Sequence, residues 1–472
     1  MARVNYPPVI TKRISVNSFA SGMKGTLKQK QIDLSKGELI HNFDCSSGAL
    51  TGGFGVSNYN QYILTNISGL EVLGLFPYIA YDHDESGYVE RIIIYCSDGG
   101  LYYALASGSW YRRIGTVTFS ECPCAISYNY LDKDVLLLST ATDGLYMLDG
   151  LTITKIDGAP PFNSLCVHKE RLFATSSGEG KSLWFSDDFD PTNWSISLDE
   201  AGFIEFSDEY GKLLKVVSFL DYVYAFREYG ISRVTAYGDQ QDFSVDNLYG
   251  KYGKIYGGSI TDCGNFIVMV TSQGIYTFNG LSAVKILDEY DHLIRGVDNS
   301  RAKGAFDGRR LYLMLYAQID GEVERVVICY DTEKKTAHLA RGFRITDLCF
   351  FGGSVGQVMC SFNDSFRVGV IDDSGNYLIY YPDRVWRSAT CDFGITEREK
   401  VLKRVTLYSA EEASLTVENG IKSFTYSLKA GMLNDIKPML KGERFRFTIK
   451  SKSFNPEISS LSVYVDYIKE SV

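Results

Sequence analysis

Two segments, 143-DGLYMLDGLTITKI-156 and 273-QGIYTFNGLSAVKI-286, decide how this chain is read. Each opens with an apolar and aromatic run, passes an Asp-Gly or Asn-Gly step, and resumes with alternating apolar and polar residues. Those dipeptides tolerate the positive φ that a short hairpin loop requires, so both segments read as strand, turn, strand. A third copy begins at 100-GLYYALASGSWYRRI-114, and weaker ones lie at 230-GISRVTAYG-238, 326-VVICYD-331 and 368-VGVIDD-373.

Anchored on the first apolar residue of that strand, the copies start at Leu101, Leu145, Ile231, Ile275, Val327 and Val368. Single intervals are 44, 44, 52 and 41 residues, and the 86 residues from Leu145 to Ile231 make a double interval. The missing copy is 183-LWFSD-187, whose five residues align with 145-LYMLD-149. A strand precedes most anchors: 91-RIIIYCS-97, 134-DVLLLST-140, 170-ERLFATS-176, 221-DYVYAFR-227, 265-NFIVMVTS-272 and 310-RLYLMLY-316. A period of roughly 40 to 50 residues is that of four-stranded propeller blades. Helical periodicity is nearly missing, and β-branched and aromatic runs are cut by Gly, Asn and Asp.

The expected fold is therefore all-β: a six- or seven-bladed β-propeller over residues 66–380, followed by a small antiparallel β-sandwich over 381–472. Five alternating runs predict the sandwich: 401-VLKRVTLYS-409, 414-SLTVEN-419, 422-KSFTYSL-428, 443-ERFRFTIKS-451 and 459-SSLSVYVDYI-468. Residues 1–65, rich in Gly, Ser and Lys, read as an extended N-terminal arm that could add a strand to the last blade.

Composition narrows the function. Tyr 33 and Phe 27 in a chain of 472 suit strands. A net charge of −9 argues against a protein that holds nucleic acid by bulk electrostatics. The opening MARVNYPPVITKRISVNSF has no continuous apolar run and does not read as a signal peptide. Ten cysteines in that context read as buried thiols, and Cys122-Pro-Cys124 lacks the spacing and second pair of a zinc site.

The five histidines, His41, His83, His168, His292 and His338, form no catalytic or zinc motif, and no phosphate-binding loop follows a strand. Asp187, Asp188 and Asp190 approach the spacing of a calcium loop, but the glycine and distal glutamate are missing, and Asp190-Pro191 marks a turn. With Trp194 they read as an enlarged rim loop and a candidate subunit contact. The string 81-YDHDES-86 reads as a solvated loop. Arg444, Arg446, Lys450 and Lys452, beside Lys441, fall on or next to one strand. They suit either the polar face of an edge strand or contacts to DNA phosphates or an acidic partner.

The run 170-ERLFATSSGEGKSLWFSDDFDPTNWS-195 resembles a phrase of tailed-bacteriophage β-propeller proteins: an Arg-Leu strand, a Trp-Phe-Ser strand, then an Asp-Pro-x-x-Trp loop. The segment 211-GKLLKVVSFLDYVYAFREYGISRVT-235 continues the likeness, which spans residues 166 to about 290. The family comprises the neck and tail-hub (nozzle or packaged-DNA-stabilising) proteins of short-tailed phages. The resemblance implies a virion protein made in the host cytoplasm, in a cyclic ring, hexameric by family analogy, below portal and adaptor. It implies a channel for DNA, transient DNA contact, neighbouring distal tail proteins, and a structural role with no catalytic centre, cofactor or metal. The alternative is a carbohydrate- or receptor-binding propeller using Trp110, Trp184, Trp194 or Trp386 as platforms.

Overall fold

The computed structural model describes residues 9–23, 34–59, 69–82, 86–105, 111–176, 180–198, 201–248, 250–362, 368–377 and 380–468. The chain forms two compact units, Asn58–Val326 with Arg344–Ile371, and Met1–Ser57 with Val327–Phe343 and Asp372–Val472.

The reason for the blades lies in their second strands. In Gly87–Cys96, Ile92 and Ile94 join one buried cluster while Ile93 and Tyr95 join another. In Lys133–Thr140, Leu136 and Leu138 share a cluster with the first blade, and Val135 and Leu137 share one with Leu172 and Ala174 of the third. Val223 and Ala225 against Tyr224 and Phe226 repeat the split in the fourth blade. Strands covered on both faces read as continuous apolar runs, which is what these segments are.

Among the described residues, seven four-stranded sheets follow one another along the chain, which gives a propeller of seven blades. Their first strands are Val72–Asp82, Cys124–Tyr130, Phe162–His168, Leu213–Phe219, Thr261–Asp262, Lys303–Phe306 and Ile345–Phe351. Third strands begin at or beside six of the seven expected anchors, Gly100–Leu105, Gly144–Asp149, Ser182–Phe185, Ile231–Thr235, Gly274–Phe278 and Val368–Asp372, while Glu322–Asp331 begins five residues ahead of Val327. The degenerate copy at Leu183 is thus a blade strand in its own right. In the seventh sheet the fourth place is taken by Gly55–Asn58, the strand expected of the arm. Ring closure between the seventh and first blades is partly polar: Leu75 N–H donates to Asp347 Oδ2 at 2.9 Å, and Thr346 Oγ1 donates to the Val72 carbonyl at 3.0 Å.

Hairpin geometry follows the loop residues. Gly150 at φ 58 begins the two-residue loop after Asp149, as the Asp-Gly step requires. Leu131 and Asp132 (φ 50 and 59) and Leu220 and Asp221 (φ 47 and 62) fill comparable loops without glycine. Tyrosines lock blade to blade: Tyr78 Oη donates to the Asp134 carbonyl and accepts from Gly150 N–H, both at 2.9 Å. Tyr128 Oη donates to the Glu170 carbonyl at 3.3 Å, and Tyr224 Oη to the Gly280 carbonyl at 3.0 Å.

Two further sheets, of seven and five strands, form the sandwich. Its inward rows are Leu402, Val405 and Leu407; Leu415 and Val417; Phe447 and Ile449; and Leu461, Val463 and Val465. Besides the expected runs, Met432–Ile436 and Leu440–Gly442 pair with Lys400–Ser409. The N-terminal part differs from the free arm the composition suggested. Val9–Val16 pairs antiparallel with Leu461–Ile468, Gly37–His41 pairs with Arg384–Ser388, and Leu50–Gly52 joins the seven-stranded sheet. Val9–Val16 buries little and carries Lys12 and Arg13, the composition of an edge strand that resists further pairing, which mimics a linker.

Two substitutions test this geometry. Leu131 is 77% exposed and held at positive φ, a strain of about 1 kcal/mol for a residue with a branched side chain. Leu131→Asn should raise the unfolding free energy by about 0.5–1 kcal/mol in urea melts. Tyr78→Phe should lower it by about 1–2 kcal/mol, because a donor and an acceptor of the second blade lose their partner together.

Candidate functional site

Three places collect the side chains the sequence singled out. The first is the loop after Ser182–Phe185. Asp187 N–H donates to the Asn193 carbonyl at 3.1 Å, and Asn193 Nδ2 donates to Asp187 Oδ2 at 3.0 Å, closing the loop on itself. Asp188 Oδ1 lies 2.7 Å from Arg171 Nε, a guanidinium that also donates to the Ser186 carbonyl at 3.0 Å. Asp190 Oδ1 accepts from Thr192 N–H at 2.9 Å and Thr192 Oγ1 at 2.6 Å. Trp194 is buried against Phe162, ring centres 4.6 Å apart, and its Nε1–H donates to the Pro191 carbonyl at 2.9 Å. Asp187 and Asp190 therefore work on their own turn and Asp188 ties it to Arg171, and among the described residues no group of three or more acidic, His or Cys side chains is placed to hold a metal ion. The side chain presented is that of Phe189, 70% exposed at φ 55, with its N–H donated to the Glu170 carbonyl at 2.8 Å. Pattern reading missed Phe189 because an aromatic beside a strand resembles core.

The second place is the basic run. Arg446–Ser451 pairs on one side with Arg384–Ser388 and on the other with Ala413–Glu418, so it is an interior strand and not the edge strand considered from the sequence. Phe447, Ile449 and Ser451 point inward, which leaves Arg446 and Lys450 on the outer face. Arg446 sits 3.3 Å from Glu38 and 3.4 Å from Glu418, and Lys441 2.6 Å from Glu399. Arg444 precedes the strand and is exposed. Lys450 and Lys452 line a cavity of about 600 Å3 together with His41, Arg341, Asp383, Arg384 and Glu412. The structure thus separates the four basic residues: two are at a cavity, one is in ion pairs, and one is on the surface.

The third place is the ring of first strands. Lys303 Nζ lies 3.5 Å from Asp347, and that carboxylate holds the ammonium above the usual lysine range. Lys215 has only the Ile260 carbonyl, at 2.7 Å, and burial pulls it down to about 8. Burial pushes the thiols of Cys122 and Cys124 up to about 12, so both remain protonated near neutrality. His168 lies in the third blade. Its Nδ1 is 2.8 Å from Ser218 Oγ, its Nε2 is buried without a partner, and burial and then the charge of Lys169 lower its pKa.

The tryptophans weighed as sugar platforms are placed differently from what that reading needs. Trp194 and Trp386 are 5% and 0% exposed, and Trp184 packs on Phe203 with ring centres 4.8 Å apart. Trp110 and residues 83–85 of the acidic string lie outside the described residues.

This geometry defines the class: an all-β chain with a seven-bladed propeller and a sandwich. No family model matches the sequence, and no curated protein matches it. Among solved structures, the WD40 domain of Neurospora crassa Pan2 is similar at 10% identity and a TM-score of 0.39, covering 70% of this chain and 97% of that one. YCF48 of Cyanidioschyzon merolae is similar at 9% identity and a TM-score of 0.35, covering 54% and 98%.

His168 sets a pH dependence. An unfolded imidazole takes up a proton near 6.5, whereas the folded ring does so only at lower pH. The unfolded state therefore binds more protons between those values, and stability falls as pH drops below about 6.5 until the folded ring also protonates. His168→Gln should flatten the pH 5–7 segment of a thermal-stability profile, while leaving the acid limb below pH 4, where carboxylates titrate, in place.

Proposed function

We propose that this protein is a structural subunit of a tailed-phage neck or tail, forming a cyclic ring around the DNA channel and joining the adaptor to distal tail parts. The observation that supports this reading most directly is an apolar surface on one stretch of the sandwich. Ile421, Phe424, Met432, Leu433 and Met439 are 90, 44, 45, 56 and 63% exposed within nineteen residues. Phe424 lies on the end strand of the five-stranded sheet and Met432 and Leu433 on the end strand of the seven-stranded sheet, and so many large exposed apolar side chains in one stretch of chain suit an interface. Phe189, held out by a loop that is hydrogen-bonded to itself, is a second contact of the same kind. Locking tyrosines and two-faced blades make a stiff body, which a channel wall requires. The net charge of −9 suits a lumen along which DNA must slide, because many phosphate contacts would hold it back.

Native mass spectrometry of the full chain tests the proposal. A closed ring is expected, and Phe424→Asp combined with Leu433→Asp should convert it to monomers with unchanged far-UV circular dichroism. A wild-type chain that stays monomeric at high micromolar concentration and is missing from purified virions would overturn the reading.

A further inference from the structure

One buried arginine meets no carboxylate among the described residues. Arg384 is 0% exposed, at the start of the strand Arg384–Ser388. Its Nη1 donates to the Ser453 carbonyl at 2.7 Å, its Nη2 donates to the Gly375 carbonyl, and its Nε has no acceptor. Among the described residues no carboxylate pairs with it. The neighbouring Asp383 is engaged by Lys452 at 2.8 Å. The other buried arginines among the described residues each meet a carboxylate: Arg227, equally enclosed, has Asp208 at 2.7 Å, whereas the ammonium groups of Lys400 and Lys215 are held by carbonyls. A buried guanidinium facing only carbonyls pays several kcal/mol of desolvation with no opposite charge to offset it. Burial accordingly pulls Arg384 down to about 10.

Arg384 lines the cavity of about 600 Å3 described above. The other cations on that wall are Arg341, Lys450 and Lys452, and the carboxylates are Asp383 and Glu412. Leaving His41 aside, four basic side chains and two carboxylates line it. The ammonium of Lys450 has no ion-pair partner among the described residues. Ser414 and Ser451 place further hydroxyls on the wall. The residues come from five separate parts of the chain, near 41, 341, 384, 413 and 451, so the charge excess is built by the fold and not by one basic run.

We propose that this cavity binds a phosphate group, with Lys450 and Lys452 as its direct cationic contacts and Arg384 as the fixed positive charge behind them. A phosphate matches an excess of two positive charges and offers several oxygens to the donors around it. The volume exceeds what one phosphate ion fills, so the group arrives attached to something larger, either a small phosphate ester or a nucleic-acid backbone. The site stands whether or not the ring assignment above holds.

Isothermal titration of the full-length protein with inorganic phosphate, pyrophosphate and a short single-stranded oligonucleotide tests it. Saturable phosphate or pyrophosphate binding that weakens as sodium chloride rises is expected. Lys450→Glu should reduce it by about tenfold or more without moving the melting temperature of the unliganded protein, since Lys450 is exposed. An oligonucleotide that displaces pyrophosphate supports the site with nucleic acid as its source, and one that does not supports it with a small ester. No saturable binding of either ion at millimolar concentration, or equal affinity in Lys450→Glu, would overturn the proposal.

Discussion

A four-stranded sheet that is apolar on both faces cannot stand alone in water, and every blade of this propeller has that property. The alternate residues of one strand, such as Ile92 with Ile94 and Ile93 with Tyr95, enter different clusters and require a neighbour on each side. A row of such sheets leaves two bare ends unless it closes. Closure brings the seventh blade to the first, where Phe351, Met359 and Val368 meet Leu75, Ile92 and Ile94. The polar clasp of Asp347 on the Leu75 amide fixes the register at that seam. Lys303 beside Asp347 stabilises the buried carboxylate that makes this clasp.

Charge is handled with the same economy. Arg171 and Arg227 are enclosed, but each meets a carboxylate and aromatic faces, Phe185 and Phe243 for the first, Phe206 and Tyr210 for the second. Both hold loops to blades, the rim loop of Asp188 in one case and the turn at Asp208 in the other. Arg384 departs from this pattern, which is why it marks a site and the other two mark structure. Lys215, whose ammonium faces only a carbonyl, is a milder case on a first strand.

Much of the propeller was legible because its signals are local. The Leu183 copy was found from spacing alone, and it is a third strand paired with Phe173 and Thr175. The Asp-Gly hairpin loop was read from φ preference, yet Leu131 and Leu220 occupy left-handed positions no residue rule would choose for leucine. The N-terminal strands were misread as an arm because Val9–Val16 finds its partner more than four hundred residues away, and no local pattern reports such a pairing. The edge position weighed for the basic strand fails for the same reason: its two neighbours, near 386 and 415, are known only once the sheet is assembled.

Composition, turn residues and the repeat period by themselves determined an all-β chain of blades followed in sequence by a sandwich, since each depends on interactions within about forty residues. Tertiary structure alone decided the number of blades, the partner of the N-terminal strand, and the meeting of His41, Arg341, Arg384 and Lys450 around one cavity. The physical reason is the range of the forces involved. Backbone preference and side-chain alternation act between near neighbours, whereas the desolvation of a charge depends on every segment that folds against it.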